Sequence, residues 1–211
     1  YAVGHAYLAL AFYLQWMNNP SEGDTAGELE RALACACRAL VLDESDSRCH
    51  RILSLIYEGL RQFDRAELHS SRSIALNSND ALAALYRAGL LRHLGRSTEG
   101  VEWAGKAMAL NPYHETWYWN VLAFVLHDAG RYAEALDAYS RMTERPSFYH
   151  AYVAACHAGL GRMEEARTHV ALALKARPDF SVAAYGGRLS YKNEADLQRF
   201  LDSLRRAGLP E

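Results

Sequence analysis

The chain has 211 residues, half of them hydrophobic and 23% charged, which is ordinary globular composition. Its formal charge of −2 lacks the basic excess of a nucleic-acid binder. No apolar run reaches the roughly 20 residues needed to span a bilayer, so membrane insertion is not expected.

The first element runs from Tyr1 to Trp16. It is apolar, but no basic segment leads it and no small-residue cleavage site follows, so it reads as a helix and not as a secretion signal. The chain opens on tyrosine instead of methionine and is expected to be part of something longer. Residues Met17 to Asp24 form an inserted loop with Asn19-Pro20 and Gly23. Thr25, with Glu28 three residues on, forms a capping box that starts a second helix. That helix carries Cys35 and Cys37, which a helical pitch points about 200° apart, so neither a disulfide nor a shared metal follows. With Cys49 and Cys156 they read as small buried residues in a reducing compartment, and a cytoplasmic location is expected.

From the second helix onward the sequence repeats. Ala32, Ala66, Gly100, Ala135 and Ala166 stand 34, 34, 35 and 31 residues apart, and Ala39, Ser73, Ala107, Met142 and Ala173 keep the same intervals. Glu44, Ser78, Pro112, Pro146 and Pro178 form a third series. Such a period marks stacked helical hairpins. Five repeats follow: 2–46, 47–80, 81–115, 116–146 and 147–180. In the fourth, Trp119, Leu122, Ala123 and Leu126 share one helix face and Gly130 suits a left-handed helix end. Tyr132, Ala135, Leu136, Tyr139 and Met142 form a second helix closed by Arg145-Pro146. Ala123 and Ala135 sit where the two helices approach closely. Beyond Phe180, Ser181–Leu189 reads as one more helix. Asn193 caps a last one from Glu194 to about Ala207, which Gly208 stops. Its Leu197, Phe200, Leu201 and Leu204 stripe predicts a cap over the end of the solenoid, within a tail of 181–211.

These marks resemble the tetratricopeptide repeat, W-x2-L-G-x2-Y…A-x3-F…A…P. Its small eighth position is filled here by Ala9, Ser54, Ala88, Ala123 and Ala154. The seventh is filled by Leu8, Leu53, Arg87, Leu122 and Val153, with Arg87 departing from the pattern. The resemblance implies an all-α, right-handed superhelical solenoid of about five hairpins with a carboxy-terminal capping helix. Three tail segments, Pro178-Asp179-Phe180-Ser181, Tyr191-Lys192-Asn193-Glu194-Ala195-Asp196-Leu197 and Leu204 to Glu211, are similar to the end of a bacterial group. These are class III adenylate/guanylate cyclases, and related winged-helix regulators, with repeats after their effector domain. That implies a regulatory module of a larger signalling protein. The chain itself carries no cyclase metal-binding aspartates or nucleotide loop, so no enzyme activity, cofactor or metal is expected.

The residues give no catalytic motif either. No two of the nine histidines stand four apart on a helix, and adjacent His127 and Asp128 are not expected to face each other. His5, His50 and His150 share the fourth-position slot of Trp119 and read as packing residues. The repeat family uses the concave face of its first helices. The frame assigns to it Arg48, Arg51, Leu55, Glu58, Leu82, Leu85, Arg92, His93, Trp117, Asn120, Phe124, His127 and Phe148. Arg48, Arg51 and Arg92 are expected on one wall, free to take an acidic protein or peptide segment, with aromatics supplying an apolar anchor. Substituting Arg51 and Arg92 is therefore expected to leave the fold stable. The other expectation is a homodimer formed through the convex face or the last helix, with an empty groove.

Overall fold

Aspartates open the first helices of two hairpins. Asp46 accepts the N–H of Arg48 at 2.9 Å, and Asp80 accepts those of Leu82 and Ala83 at 2.9 and 3.1 Å. Each satisfies amides that a helix start leaves without partners. The first helices end on left-handed residues: Gly95, Gly130 and Gly161 have φ of 76°, 75° and 73°, where a glycine meets no Cβ penalty. The equivalent turn of the second hairpin uses Arg61 at φ 57°, and its guanidinium donates to the Leu189 carbonyl at 2.6 Å.

The computed structural model describes residues 1–18, 25–187 and 189–211; the regular structure among them is α-helical, with no strand. Five hairpins follow in order: α1 (Ala2–Asn18) with α2 (Thr25–Leu42), α3 (Ser47–Gly59) with α4 (Phe63–Leu76), α5 (Ala81–His93) with α6 (Ser97–Leu110), α7 (Trp117–Asp128) with α8 (Tyr132–Ser140), and α9 (Tyr149–Gly159) with α10 (Met163–Ala176). A short α11 (Val182–Gly186) and a longer α12 (Glu194–Ala207) complete the chain. Each hairpin stacks on the next, as a solenoid requires.

Close approach within the hairpins rests on small residues. Ala9, Ala32, Ala88, Ala123, Ala135, Ala154 and Ala166 are fully buried. Ser54, which takes the alanine slot in α3, donates its hydroxyl to the Ala66 carbonyl at 2.8 Å and so buries no unpaired group. Arg87, the departure at the seventh position, lays its guanidinium over Trp103 at 5.2 Å and donates to Ser70 and Ser71.

Several local expectations are corrected. α8 stops at Ser140 and does not continue to Pro146. The fourth interval is three residues short, Pro146 bars Arg145 from helical geometry, and the chain spends 141–148 on a turn that still buries Met142. The helix expected over Ser181–Leu189 is only Val182–Gly186, since Gly186 and Gly187 weaken it; Arg188 lies outside the described residues. Asn193 stands at the start of α12 without accepting a capping hydrogen bond, and its amide instead donates to Asp196 at 3.1 Å. Cys37 is exposed, unlike Cys49 and Cys156. The loop expectation over Met17–Asp24 falls largely on residues 19–24, outside the described residues, as does the Thr25 side chain of the proposed capping box.

The tail takes a path that the repeat period does not encode. α12 packs on α9 and α10 with Phe200, Leu201, Leu204 and Ala207 buried. The residues before it run back along the ends of the first helices. The Lys192 N–H donates to the His93 carbonyl at 2.8 Å, and Lys192 Nζ reaches Asp64 at 2.7 Å.

Candidate interaction groove

The tail meets the concave face at the carboxy-terminal ends of α5 and α7. Arg92, fully buried by its surroundings, is the hub. Its Nε donates to Asp128 Oδ2 at 2.7 Å, and its Nη2 donates to the Tyr191 and Tyr152 hydroxyls at 2.6 and 3.2 Å. The rings of Phe124, Tyr191 and Phe200 lie 4.8, 5.2 and 5.6 Å from the guanidinium carbon. The Tyr191 hydroxyl also donates to Asp128. Burial alone would raise the Asp128 carboxyl, but Arg92 beside it, with His127 and Tyr191 hydrogen bonded to it, holds it well below the usual carboxylate range. Burial pushes the Tyr191 and Tyr152 hydroxyls up, so both remain protonated donors.

His127 and Asp128 do face each other, against expectation: Nδ1 stands 2.8 Å from Oδ1. They close the last turn of α7, where both side chains turn inward to the guanidinium and the tail and do not splay across a helix surface. His127 Nε2 lies 3.2 Å from Ser203 Oγ of α12, so serine, histidine and aspartate stand in the order of a hydrolase relay. The chemistry argues against one. The Ser203 hydroxyl donates to the Phe200 carbonyl at 2.6 Å, and the Asp128 charge is already matched by Arg92. The three groups tie α12 to α7. Among the described residues no group of three or more His, Cys, Asp or Glu is placed to hold a metal ion.

The other two arginines lie at the opposite ends of the first helices, so the three do not form one wall. Arg51 is buried and donates to Asp80 at 2.6 Å, while its Nε finds no partner. Arg48 is half-exposed and clamps Asp46 through Nε and Nη2, the latter at 2.7 Å. That contact holds the Asp46 carboxyl below its ordinary value. With Leu82, Asp80 and Tyr7 they border a cleft of about 550 Å³. All three arginines therefore have an acidic partner within the chain. These pairs argue against the expectation that Arg51 and Arg92 could be removed at little cost to the fold: losing Arg92 strands the buried Asp128, and losing Arg51 takes the side-chain partner from the partly buried Asp80.

The remaining predicted residues divide. Leu55 and Leu85 are buried core. Glu58 pairs with His93 Nδ1, and the His93 ring meets Tyr191 edge-on at 5.1 Å, its Nε2 buried without a partner. Phe124 packs on Tyr152 and Phe148, at 4.6 and 5.4 Å between ring centroids. Trp117, Asn120 and Phe148 border an open cleft of about 360 Å³ with Met142, Arg145 and Pro146. Trp117 Nε1 donates to Glu115 at 2.9 Å, which fixes the indole, and Asn120 Oδ1 is buried with no partner. Sequence reasoning missed Tyr152, Asp128, Tyr191, Phe200 and Ser203 as groove residues. The apolar stripe of α12 was readable, but where it docks was not.

No family model and no curated protein matches the sequence. Solved structures do. TTC0263 of Thermus thermophilus, a thermophilic tetratricopeptide-repeat protein, matches with a TM-score of 0.65 at 16% identity, covering 97% of this chain and 99% of that one. YrrB, described as a tetratricopeptide-repeat protein with an unusual peptide-binding site, matches at 0.59 and 20% identity over 86% of this chain and 100% of its own. A chain of the Cut9–Hcn1 assembly matches at 0.76 and 16% identity, over 99% of this chain but 36% of that one. The chain has the tetratricopeptide-repeat solenoid fold.

Proposed function

We propose that this chain is a non-catalytic protein–protein interaction module that takes a partner segment in the cleft between the amino-terminal ends of α7 and α9. The observation that carries the reading is the orphaned Asn120 Oδ1 on an aromatic-sided cleft. A buried acceptor without a donor costs free energy that a partner's backbone N–H would recover. Trp117 and Phe148 offer the apolar faces that dominate binding hot spots. The acidic partner expected from the arginines is replaced by one with an aromatic or long aliphatic anchor, since Arg48, Arg51 and Arg92 already have carboxylates.

The finer setting belongs to the same proposal. The five repeats over 2–180 with the tail at 181–211 would form the carboxy-terminal regulatory module of a larger bacterial, cytoplasmic signalling protein of the cyclase kind. The wording of the tail supports it. No described helix is long and apolar enough to cross a membrane.

A fluorescence-polarisation screen of short labelled peptides tests the site. Bound sequences should carry an aromatic or long aliphatic anchor, and Trp117→Ala should weaken them by about 2 kcal/mol, the scale of a hot-spot residue. Binding that ignores both Trp117→Ala and Asn120→Ala would place the partner elsewhere.

A further inference from the structure

The cleft between α7 and α9 holds acceptors that nothing in the chain satisfies. Asn120 Oδ1 is buried without a partner, and Glu144 on the same lining is exposed, with no hydrogen bond or ion pair among the described residues. A second carboxylate, that of Glu115, stands beside the cleft, where it accepts Trp117 Nε1. That bond occupies the indole donor and leaves the Trp117 ring system, which with Phe148 borders the cleft. The faces of such rings carry the negative part of the aromatic quadrupole. Tyr86 continues the aromatic wall, its ring centroid 6.1 Å from that of Trp117. Arg145 is the cation on the lining, and its guanidinium lies 5.3 Å over the Tyr149 ring.

A purely apolar anchor would leave both acceptors as they are. A backbone N–H of a partner would satisfy Asn120 Oδ1 but would not neutralise Glu144. A lysine side chain does both. Its ammonium carries three donors and a compact charge, and its four-carbon stem packs along ring faces while the charged end stays wet. Stem on Trp117 and Phe148 with Met142 beneath, and ammonium shared between Asn120 Oδ1 and Glu144, uses each feature of the lining, and the rings add attraction for the cation. We infer, on the reading that this cleft is the binding site, that the partner segment is basic and anchors here through a lysine. The partner's charge is then opposite to the one that Arg48, Arg51 and Arg92 suggested, because those three are matched within the chain and Glu144 is not.

The probe is the tightest labelled peptide of the polarisation screen that Trp117→Ala weakens, remade with its anchor as lysine, Nε-acetyl-lysine or norleucine. Acetylation keeps the length and removes the charge, and norleucine keeps the stem alone. The lysine peptide should bind at least about fivefold tighter than either, the scale of one cation on aromatic and carboxylate partners. Added salt should reduce that margin and leave norleucine binding nearly as it was. Glu144→Gln should remove most of the margin without touching the fold, since the side chain is exposed and unbonded. A smaller margin, or one unchanged in Glu144→Gln, overturns the basic anchor, while norleucine binding that still answers to Trp117→Ala keeps the cleft as the site. If no peptide answers to Trp117→Ala, the cleft itself fails and the basic anchor with it.

Discussion

Arg92→Ala removes one half of a buried ion pair and leaves the other half in place. Asp128 would keep only the donors from His127 and Tyr191, and its side chain is 8% exposed. Breaking a buried pair in this way costs roughly 3–5 kcal/mol, because the stranded charge is not rehydrated. The hydroxyls of Tyr152 and Tyr191 lose their shared guanidinium, and the rings of Phe124 and Phe200 lose the cation between them, so the upper part of that range is expected. For a chain of this length each kcal/mol moves the thermal midpoint by about 2–4 °C, so the upper part of the range, about 4–5 kcal/mol, gives a fall of about 8–20 °C.

The pH dependence makes the prediction sharper. In the wild type the Asp128 carboxyl is lowered, so its stabilising effect is full above the ordinary carboxylate value and is lost as pH falls below it. Without Arg92, burial dominates and the carboxyl is raised. The folded variant then binds a proton that the unfolded chain has released, and its deficit shrinks as pH drops from 7 to 5. Urea unfolding of wild type and variant at both pH values, followed by circular dichroism, measures the difference. A loss under about 1 kcal/mol, or one that grows on acidification, would refute the buried pair.

Two further outcomes follow from charges elsewhere in the stack. Asp80→Ala should cost about 3 kcal/mol or more in urea unfolding, because it removes the cap of α5 and strands Arg51, whereas Arg48→Ala, at a half-exposed pair, should cost less than about 1 kcal/mol; equal costs would contradict the different burial of the two pairs. Histidine pairs bridge both helices of two hairpins, His50 to His69 at 2.9 Å and His150 to His169 at 3.0 Å; burial lowers His69 to about 4 and holds His169 below its usual range, so stability should be full above pH 6.5 and fall as pH drops from there towards 4, with His69→Gln and His169→Gln together flattening that slope in a thermal melt series.

What the sequence made legible follows from the range of the forces involved. The hairpins were readable because Ala9, Ala88, Ala123 and Ala135 answer to neighbours a fixed distance along the chain, and Gly130 answers to its own φ. The end of α8 was not, because it depends on three missing residues whose effect is shared between a proline and a turn. The largest misreading concerned charge. Position within a repeat says which side of a helix an arginine occupies, not whether a carboxylate from another repeat has reached it first. Asp80 lies 29 residues from Arg51 and Asp128 lies 36 from Arg92, each about one repeat on, so the pairing was within reach of the same frame that placed the arginines. Tyr191 lies 99 residues from Arg92, and no period predicts that contact. The tail covers Arg92 and leaves open the cleft lined by Trp117, Asn120 and Phe148. A repeat frame therefore supplies candidate groove residues, and the pairing of each charge and the path of the non-repeating tail decide which of them a partner can touch.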